Sequence, residues 1–333
     1  MSEMTFAAAL RKTLAEEMTA DPKLFLIGED IGRYGGEMGA THGLYDLFGA
    51  ERCRDAPISE TAIVGCALGV AMTGTKAIAE IPFGDFLGMC MDQVYNQAAK
   101  VRYMSGGQVS VPLVIRTTMG GYMSAAAQHS QCLESWFVHA PGIKVAVPST
   151  PADAAGLLRA SIRDGNPVLF FEHKGLYGMK GEVPDDPEWI VPLGEARVAR
   201  EGSDVTIIAN AMELHKALEA ATLLEADGVS VEVIDPRTLD PLDEDAILMS
   251  VRRTGHAVIV HETWERGGYG GEIASIIADR AWGDLRGPIK RVGAKHTPIP
   301  FSPVLENFIL PQVDDIVAAV RAALESEAEV VSA

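Results

Sequence analysis

Leu24-Phe25-Leu26-Ile27-Gly28-Glu29-Asp30 is a short apolar run that closes on a glycine and two acids. A run of this kind reads as a strand buried on both faces that delivers polar side chains at its carboxyl end. On its amino-terminal side, Phe6, Leu10, Leu14 and Met18 recur every four residues and predict an amphipathic helix over 5–20. On the other side, residues 31–43 contain five glycines and predict a loop. Further apolar runs at Lys76–Ile81, Val111–Arg116, Lys144–Pro148 and Pro167–Glu172 read as strands, with helical patterns at 60–74, 88–104 and 151–164 between them. Strands alternating with helices predict an α/β fold with a largely parallel, doubly wound sheet.

The alternation breaks over 174–195 into glycines, prolines and acids, among them Gly175, Gly178, Gly181, Pro184, Asp185, Asp186, Pro187 and Pro192. A linker is expected at 181–194, separating a domain over 1–180 from a smaller one over 195–333. The second domain repeats the theme. Its strands are expected at 205–209, 229–235, 257–260 and 289–292, its helices at 211–226, 243–253 and after the turn Gly267-Gly268-Tyr269-Gly270-Gly271.

The chain has 333 residues, about twice the ~150-residue domain prior, which agrees with two domains. Its 28 Lys and Arg against 46 Asp and Glu give a formal net charge of −18, a sign that repels a phosphate backbone and argues against nucleic acid as a partner. Cys53, Cys66, Cys90 and Cys132 lie far apart without metal-ligand spacing and read as reduced thiols. The first residues lack a basic head followed by an apolar stretch, and no run approaches the ~18–20 apolar residues of a membrane span, so a cytoplasmic protein without a membrane partner is expected.

Glycine-rich turns invite a dinucleotide reading, yet neither Gly32…Gly39 nor Gly267…Gly271 fits G-x-G-x-x-G, and no phosphate-binding G-x-x-x-x-G-K-[ST] is present. A nicotinamide-dependent oxidoreductase therefore rests on fold analogy alone. The helix at 61–74 keeps one side small, with Ala62, Gly65, Cys66, Gly69 and Thr73, and permits close approach of another helix, within its own domain or across a subunit interface. Ahead of it stands Pro57-Ile58-Ser59-Glu60, in which Ser59 is a candidate N-cap and Glu60 a first-turn carboxylate that complements the helix dipole.

Gly28-Glu29-Asp30, Pro57-Ile58-Ser59-Glu60, Asp92-Gln93-Val94-Tyr95-Asn96-Gln97-Ala98-Ala99-Lys100, Tyr103-Met104-Ser105-Gly106-Gly107, Ala127-Gln128-His129-Ser130-Gln131 and His139-Ala140-Pro141-Gly142 stand in one order along the chain. As a set they resemble the β subunit of the thiamine-diphosphate-dependent decarboxylating component of 2-oxo acid dehydrogenase complexes, of the pyruvate, branched-chain and acetoin types. The resemblance runs from about residue 5 to 325. Glu172-His173-Lys174-Gly175-Leu176-Tyr177, Asp85-Phe86 and His296-Thr297-Pro298-Ile299-Pro300-Phe301 look most like the acetoin-cleaving branch. It implies a pyrimidine-binding domain followed by a transketolase C-terminal-like domain. The implied activity is cleavage of acetoin, or decarboxylation of a 2-oxo acid, with transfer of the acyl fragment to lipoamide.

Thiamine diphosphate activates its own carbon acid through its aminopyrimidine, so the protein's task is to favour the imino tautomer. By resemblance, Glu60 is the carboxyl that bonds the pyrimidine nitrogen, Phe86 packs against the ring, and Met89 lies where pyruvate-type subunits usually carry glutamine. The matching histidine, His129, is implied as a proton donor to the adduct or to the lipoyl sulfur. Main-chain carbonyls matching Leu113, Ser161, Ile162, Asp164 and Asn166 would hold a potassium ion. Thiamine diphosphate enzymes anchor the diphosphate through Mg²⁺ with Gly-Asp-Gly and an Asn about 25–30 residues later. This chain offers only Gly28-Glu29-Asp30 and Gly84-Asp85-Phe86. The implication is an α subunit that supplies Mg²⁺ and the diphosphate half of the site in an α2β2 assembly, with a lipoyl-bearing acyltransferase core as further partner. A second, different expectation is a non-catalytic assembly subunit.

Overall fold

The computed structural model describes residues 1–331. The chain parts into two compact units. Unit 1 contains residues 1–120, 128–193 and 239–241, and unit 2 contains 121–127, 194–238 and 242 onward.

In unit 1 the order is β1 (Ser2–Thr5), α1 (Phe6–Ala20), β2 (Phe25–Glu29), α2 (Leu44–Phe48), β3 (Cys53–Ala56), α3 (Glu60–Met72), β4 (Ala77–Phe83), α4 (Val101–Met104), β5 (Leu113–Met119), α5 (Glu134–Val138), β6 (Lys144–Ala146), α6 (Pro151–Arg163), β7 (Val168–His173) and β8 (Lys180–Val183). Six of these strands stand in the sheet order β3-β2-β4-β5-β7-β6, and every pair among them is parallel. A short strand from later in the chain, Thr238–Asp240, closes the β6 edge. From β2 the chain crosses to β3 on one side and returns to β4 on the other, so the strand order reverses at β2. Ligands of open α/β sheets bind in the crevice beyond the carboxyl ends of the strands at such a reversal. Here those ends are Glu29 of β2 and Phe83 of β4, and α3 begins on the same edge.

Leu26, Ile27 and Gly28 are buried in β2, as an apolar run covered on both faces requires. Gly28 could not carry a side chain, because a Cβ there would lie 2.8 Å from the Glu80 carbonyl and from Ile31. Helix α1 starts at a Thr5 cap whose hydroxyl accepts from the Ala8 amide at 3.1 Å, and it buries Phe6, Leu10, Leu14 and Met18. Helix α3 buries Ile63, Val64, Ala67, Leu68 and Ala71, whereas Ala62, Cys66, Gly69 and Thr73 are exposed. Its small face is thus uncovered within the chain. Ser59 occupies the N-cap position of α3, but its hydroxyl donates to the Pro57 carbonyl at 2.8 Å and does not cap the helix, so that expectation is corrected.

The stretch expected as a linker is partly structured. Strand β8 pairs antiparallel with β1, and the segment after it lies on α6, where a Cβ on Gly156 would meet Val191 at 2.6 Å and Trp189 at 2.7 Å. Arg159 and Arg163 of α6 donate to the carbonyls of Trp189 and Pro187. Glycines and prolines punctuate a chain without showing whether its backbone is packed against a neighbour.

Unit 2 holds β9 (Arg197–Arg200), β10 (Val205–Ala209), α7 (Ala211–Ala226), β11 (Val231–Asp235), α8 (Glu244–Thr254), β13 (Ala257–Trp264), α9 (Gly270–Arg280), β14 (Lys290–Ala294), α10 (Pro303–Ile309) and α11 (Val313–Val331), and β12 is the Thr238–Asp240 strand already placed in the sheet of unit 1. Its sheet runs β14-β13-β10-β11-β9, with β9 antiparallel at the edge. Val205, Ile207, Val231, Val233, Val258 and Val260 build the core with α7 and α11. Residues 121–127 are held to this unit by acids: the Gly121 amide donates to Glu262 at 2.6 Å, the Ser124 amide to Glu306 at 3.0 Å, and the Tyr122 hydroxyl to Glu213 at 2.8 Å. Burial pushes Glu213 up to about 7 against the pull of Lys216. No helix among the described residues is long and apolar enough to cross a membrane.

Candidate functional site

Beyond β4 the chain winds into a tight 3-10 helix, Gly84–Cys90, followed by a π-helix, Asp92–Ala98. Such departures from α geometry are common at functional sites. The 3-10 helix carries both Phe86 and Met89. Its Met89 carbonyl accepts from the Thr61 hydroxyl at 2.6 Å, which ties it to the first turn of α3 beside Glu60. Met89 itself is 67 % exposed, an open thioether at the edge of the site.

Glu60 is half-buried as the first residue of α3, and no hydrogen bond or ion pair holds its carboxylate among the described residues. The helix amino terminus favours a negative charge there. Its field reaches neighbours: burial, and then the Glu60 carboxylate, push the Cys90 thiol up to about 12. Glu29, half-buried at the end of β2, is raised by burial, and after that by Glu60, Asp30 and Glu37. Four acids thus gather on one edge of the sheet, a crowding that a charged ligand or a partner's cation would relieve.

Phe86 and His129 come together. Their rings stand edge-on with centroids 5.3 Å apart, and Phe83, at the end of β4, abuts His129 at 4.5 Å and Phe86 at 5.9 Å. His129 is half-buried, and its main-chain carbonyl accepts from the Lys174 ammonium. Asp85 next door accepts from the Gln131 side chain at 2.7 Å, which pins the stretch after His129 to the 3-10 helix.

Behind this edge lies a charge network that reading the strands one at a time does not reveal. Arg116 of β5, 1 % exposed, donates to Glu172 of β7 through Nε at 2.7 Å and Nη2 at 2.9 Å, and to Glu80 of β4 through Nη1 at 2.5 Å. The Tyr177 hydroxyl also donates to Glu172. Burial works against the guanidinium's charge, but Glu172 and Glu80 outweigh it and hold Arg116 protonated. Burial raises Glu80 and is opposed by Arg116, and burial followed by Glu172 raises Tyr177. A cavity of about 10 Å³ among these residues reaches the glycine loop at Glu37, Met38 and Ala40. Gly36 of that loop has φ +79°, and a Cβ there would strike Glu80 Oε1 at 2.6 Å, so the loop closes over the network only with glycine in that position. The available signal was one charged residue in each of three apolar runs, Glu80, Arg116 and Glu172, with Glu80 and Arg116 paired in register.

The residues matched to a cation site lie together at one end of β5 and α6. Leu113 opens β5, Ser161 and Ile162 sit in the last turn of α6, and the Val111 amide bonds the Gly165 carbonyl at 3.3 Å. Carbonyls at a helix carboxyl terminus are suitable donors for a monovalent cation. The Asp164 side chain is already engaged by Lys144 and Asn166, which outweigh burial and hold its carboxyl below the usual range. No group of three or more His, Cys, Asp or Glu suited to a metal ion occurs among the described residues. For thiamine diphosphate, a partnerless carboxylate at a helix start and an aromatic face beside a histidine fit the pyrimidine. Among the described residues, no cluster of metal-ligating side chains fits a metal-bound diphosphate.

Residues 2–180 match the family model "Transketolase, pyrimidine binding domain", and residues 194–316 match "Transketolase, C-terminal domain". The chain is 45 % identical over 329 residues to the acetoin:2,6-dichlorophenolindophenol oxidoreductase subunit beta of Cupriavidus necator, covering 96 % of this chain and 97 % of the relative. Against the subunit of the same name from Bacillus subtilis it is 46 % identical, covering 95 % of each. With the 2-oxoisovalerate dehydrogenase subunit beta of Bacillus subtilis it shares 44 %, covering 96 % of this chain and 98 % of that one. Among solved structures, a split-gene transketolase described as an inactive beta4 tetramer superposes with a TM-score of 0.79 at 26 % identity, covering 97 % of this chain and 99 % of the other. The chain belongs to the transketolase-like family of β subunits found in acetoin, branched-chain and pyruvate dehydrogenases.

Proposed function

We propose that this chain is the β subunit of a thiamine-diphosphate-dependent dehydrogenase component that cleaves acetoin and passes the two-carbon fragment to lipoamide, working with an α subunit in an α2β2 assembly in the cytoplasm. The observation that carries the reading is the unpartnered Glu60 carboxylate at the start of α3, on the edge that also bears Phe86 and His129. The cofactor supplies a carbon nucleophile that adds to a carbonyl. Glu60 would bond the pyrimidine nitrogen, Phe86 would pack on the pyrimidine face, and Met89 would line its open side. His129 would deliver a proton to the reacting fragment or to the lipoyl sulfur.

The domain over 1–180 would hold the pyrimidine. The missing Gly-Asp-Gly motif supports an α subunit that binds Mg²⁺ and the diphosphate, and the exposed small face of α3 is the kind of surface on which another helix can pack closely. Carbonyls of Leu113, Ser161, Ile162, Asp164 and Asn166 would hold a potassium ion. An acidic balance of −18 suits docking to a basic segment of an acyltransferase core. Steady-state turnover of the chain reconstituted with its α subunit, on acetoin, pyruvate and 2-oxoisovalerate in parallel, tests the substrate. Acetoin is expected to give the highest kcat/KM. Turnover of pyruvate with none of acetoin would move the assignment to the pyruvate branch.

A further inference from the structure

We propose that Lys174 is a positioning residue for His129, holding the imidazole through its main chain on one side and through the Phe83 ring on the other. Lys174 follows directly on β7 and is 3 % exposed, a depth at which an ammonium is costly unless it is hydrogen-bonded. It donates to the His129 carbonyl, and its Nζ stands 5.3 Å from the centroid of the Phe83 ring. That same ring abuts the His129 imidazole at 4.5 Å with planes at 70°. One side chain therefore touches both the backbone of His129 and the surface against which the imidazole rests.

The need for such an anchor is local. In the stretch just before His129, Tyr122, Ser124 and Ala126 all have positive φ, at 64°, 54° and 64°. Non-glycine residues in that region are strained and persist only where the surroundings fix them. A backbone under that constraint does not by itself settle where the next side chain points. The Lys174 ammonium fixes it, beside a His173 that is itself fully buried at the end of β7.

The inference rests on the proposed role of His129, and the test separates the two. Selective ¹³Cε1-histidine labelling of the full chain gives resonances for eight histidines, with that of His129 assigned by its loss in His129→Gln. In Lys174→Met the His129 resonance is expected to shift or broaden while that of His42 stays in place. In complex with the α subunit, kcat should fall by about 10²-fold, the scale of an ångström-sized misplacement, with thiamine diphosphate affinity unchanged. Lys174→Arg, which retains charge and donors, should recover most of both. Lys174→Gln gives the same readout if the methionine variant does not fold. An unmoved His129 resonance in a folded Lys174 variant overturns the proposal, as does an arginine variant no better than methionine. Full turnover in His129→Gln would instead remove the role of His129 and leave the resonance result standing.

Discussion

Glu60→Gln is expected to lower turnover of the reconstituted α and β subunits by about 10²–10⁴-fold while leaving the melting temperature of the chain unchanged. The size follows from the loss of a positioned proton-sharing group, and glutamine preserves shape while abolishing that function. The unchanged stability follows from the site: the carboxylate is half-buried and no partner within the described chain holds it. Steady-state assays with the cofactor saturating read the first number and thermal unfolding reads the second. Wild-type turnover in Glu60→Gln would leave the chain a non-catalytic assembly subunit.

Arg116→Met is expected to destabilise the chain by about 3–5 kcal/mol, because it leaves Glu80 and Glu172 buried without their cation. For a unit of this size, roughly 2–4 °C is lost per kcal/mol, so thermal unfolding should move down by about 10 °C. The sign of its pH dependence also follows. A buried carboxyl whose folded pKa is raised above its unfolded value gives up stability as pH climbs, since only the unfolded chain ionises freely. Glu80 is raised even with Arg116 in place, and without it the rise is greater. The deficit should therefore be largest near pH 8 and shrink towards pH 5. Replacing Glu80 and Glu172 by glutamine in the same variant should restore much of the loss. A melting point within 2 °C of wild type at pH 8 would contradict a stabilising role for the network, on the same scale.

What could be read from sequence followed the apolar runs. Strands β2, β4, β5, β7 and β10 are largely buried and so carry predominantly apolar sequence, interrupted in β4, β5 and β7 by Glu80, Arg116 and Glu172. Edge strands carry no such signal. Cys53-Arg54-Asp55-Ala56 forms β3 and Arg197–Arg200 forms β9, each too short and too charged to stand out as an apolar run. Strands β1 and β8 pair across more than 170 residues of sequence, a match that no local pattern encodes. Glu60, Phe86 and His129 became candidates through the resemblance, since one carboxylate, one phenylalanine and one histidine are ordinary residues in isolation. Their shared edge follows from the reversal of strand order at β2, which exists only once the sheet is assembled. Lys174 and Arg116 were beyond sequence for the same reason. Each matters through partners about 45 and 36–56 residues away in the chain.

The central claim is that this chain supplies only the pyrimidine half of a thiamine diphosphate site. Calorimetric titration of thiamine diphosphate with Mg²⁺, first into the chain alone and then into the chain with its α subunit, tests it most directly. Binding confined to the mixture is the predicted result, with Glu60 and Phe86 contributing from this side. Tight Mg²⁺-dependent binding to the chain alone would mean that it holds the diphosphate itself, and the shared site would be wrong.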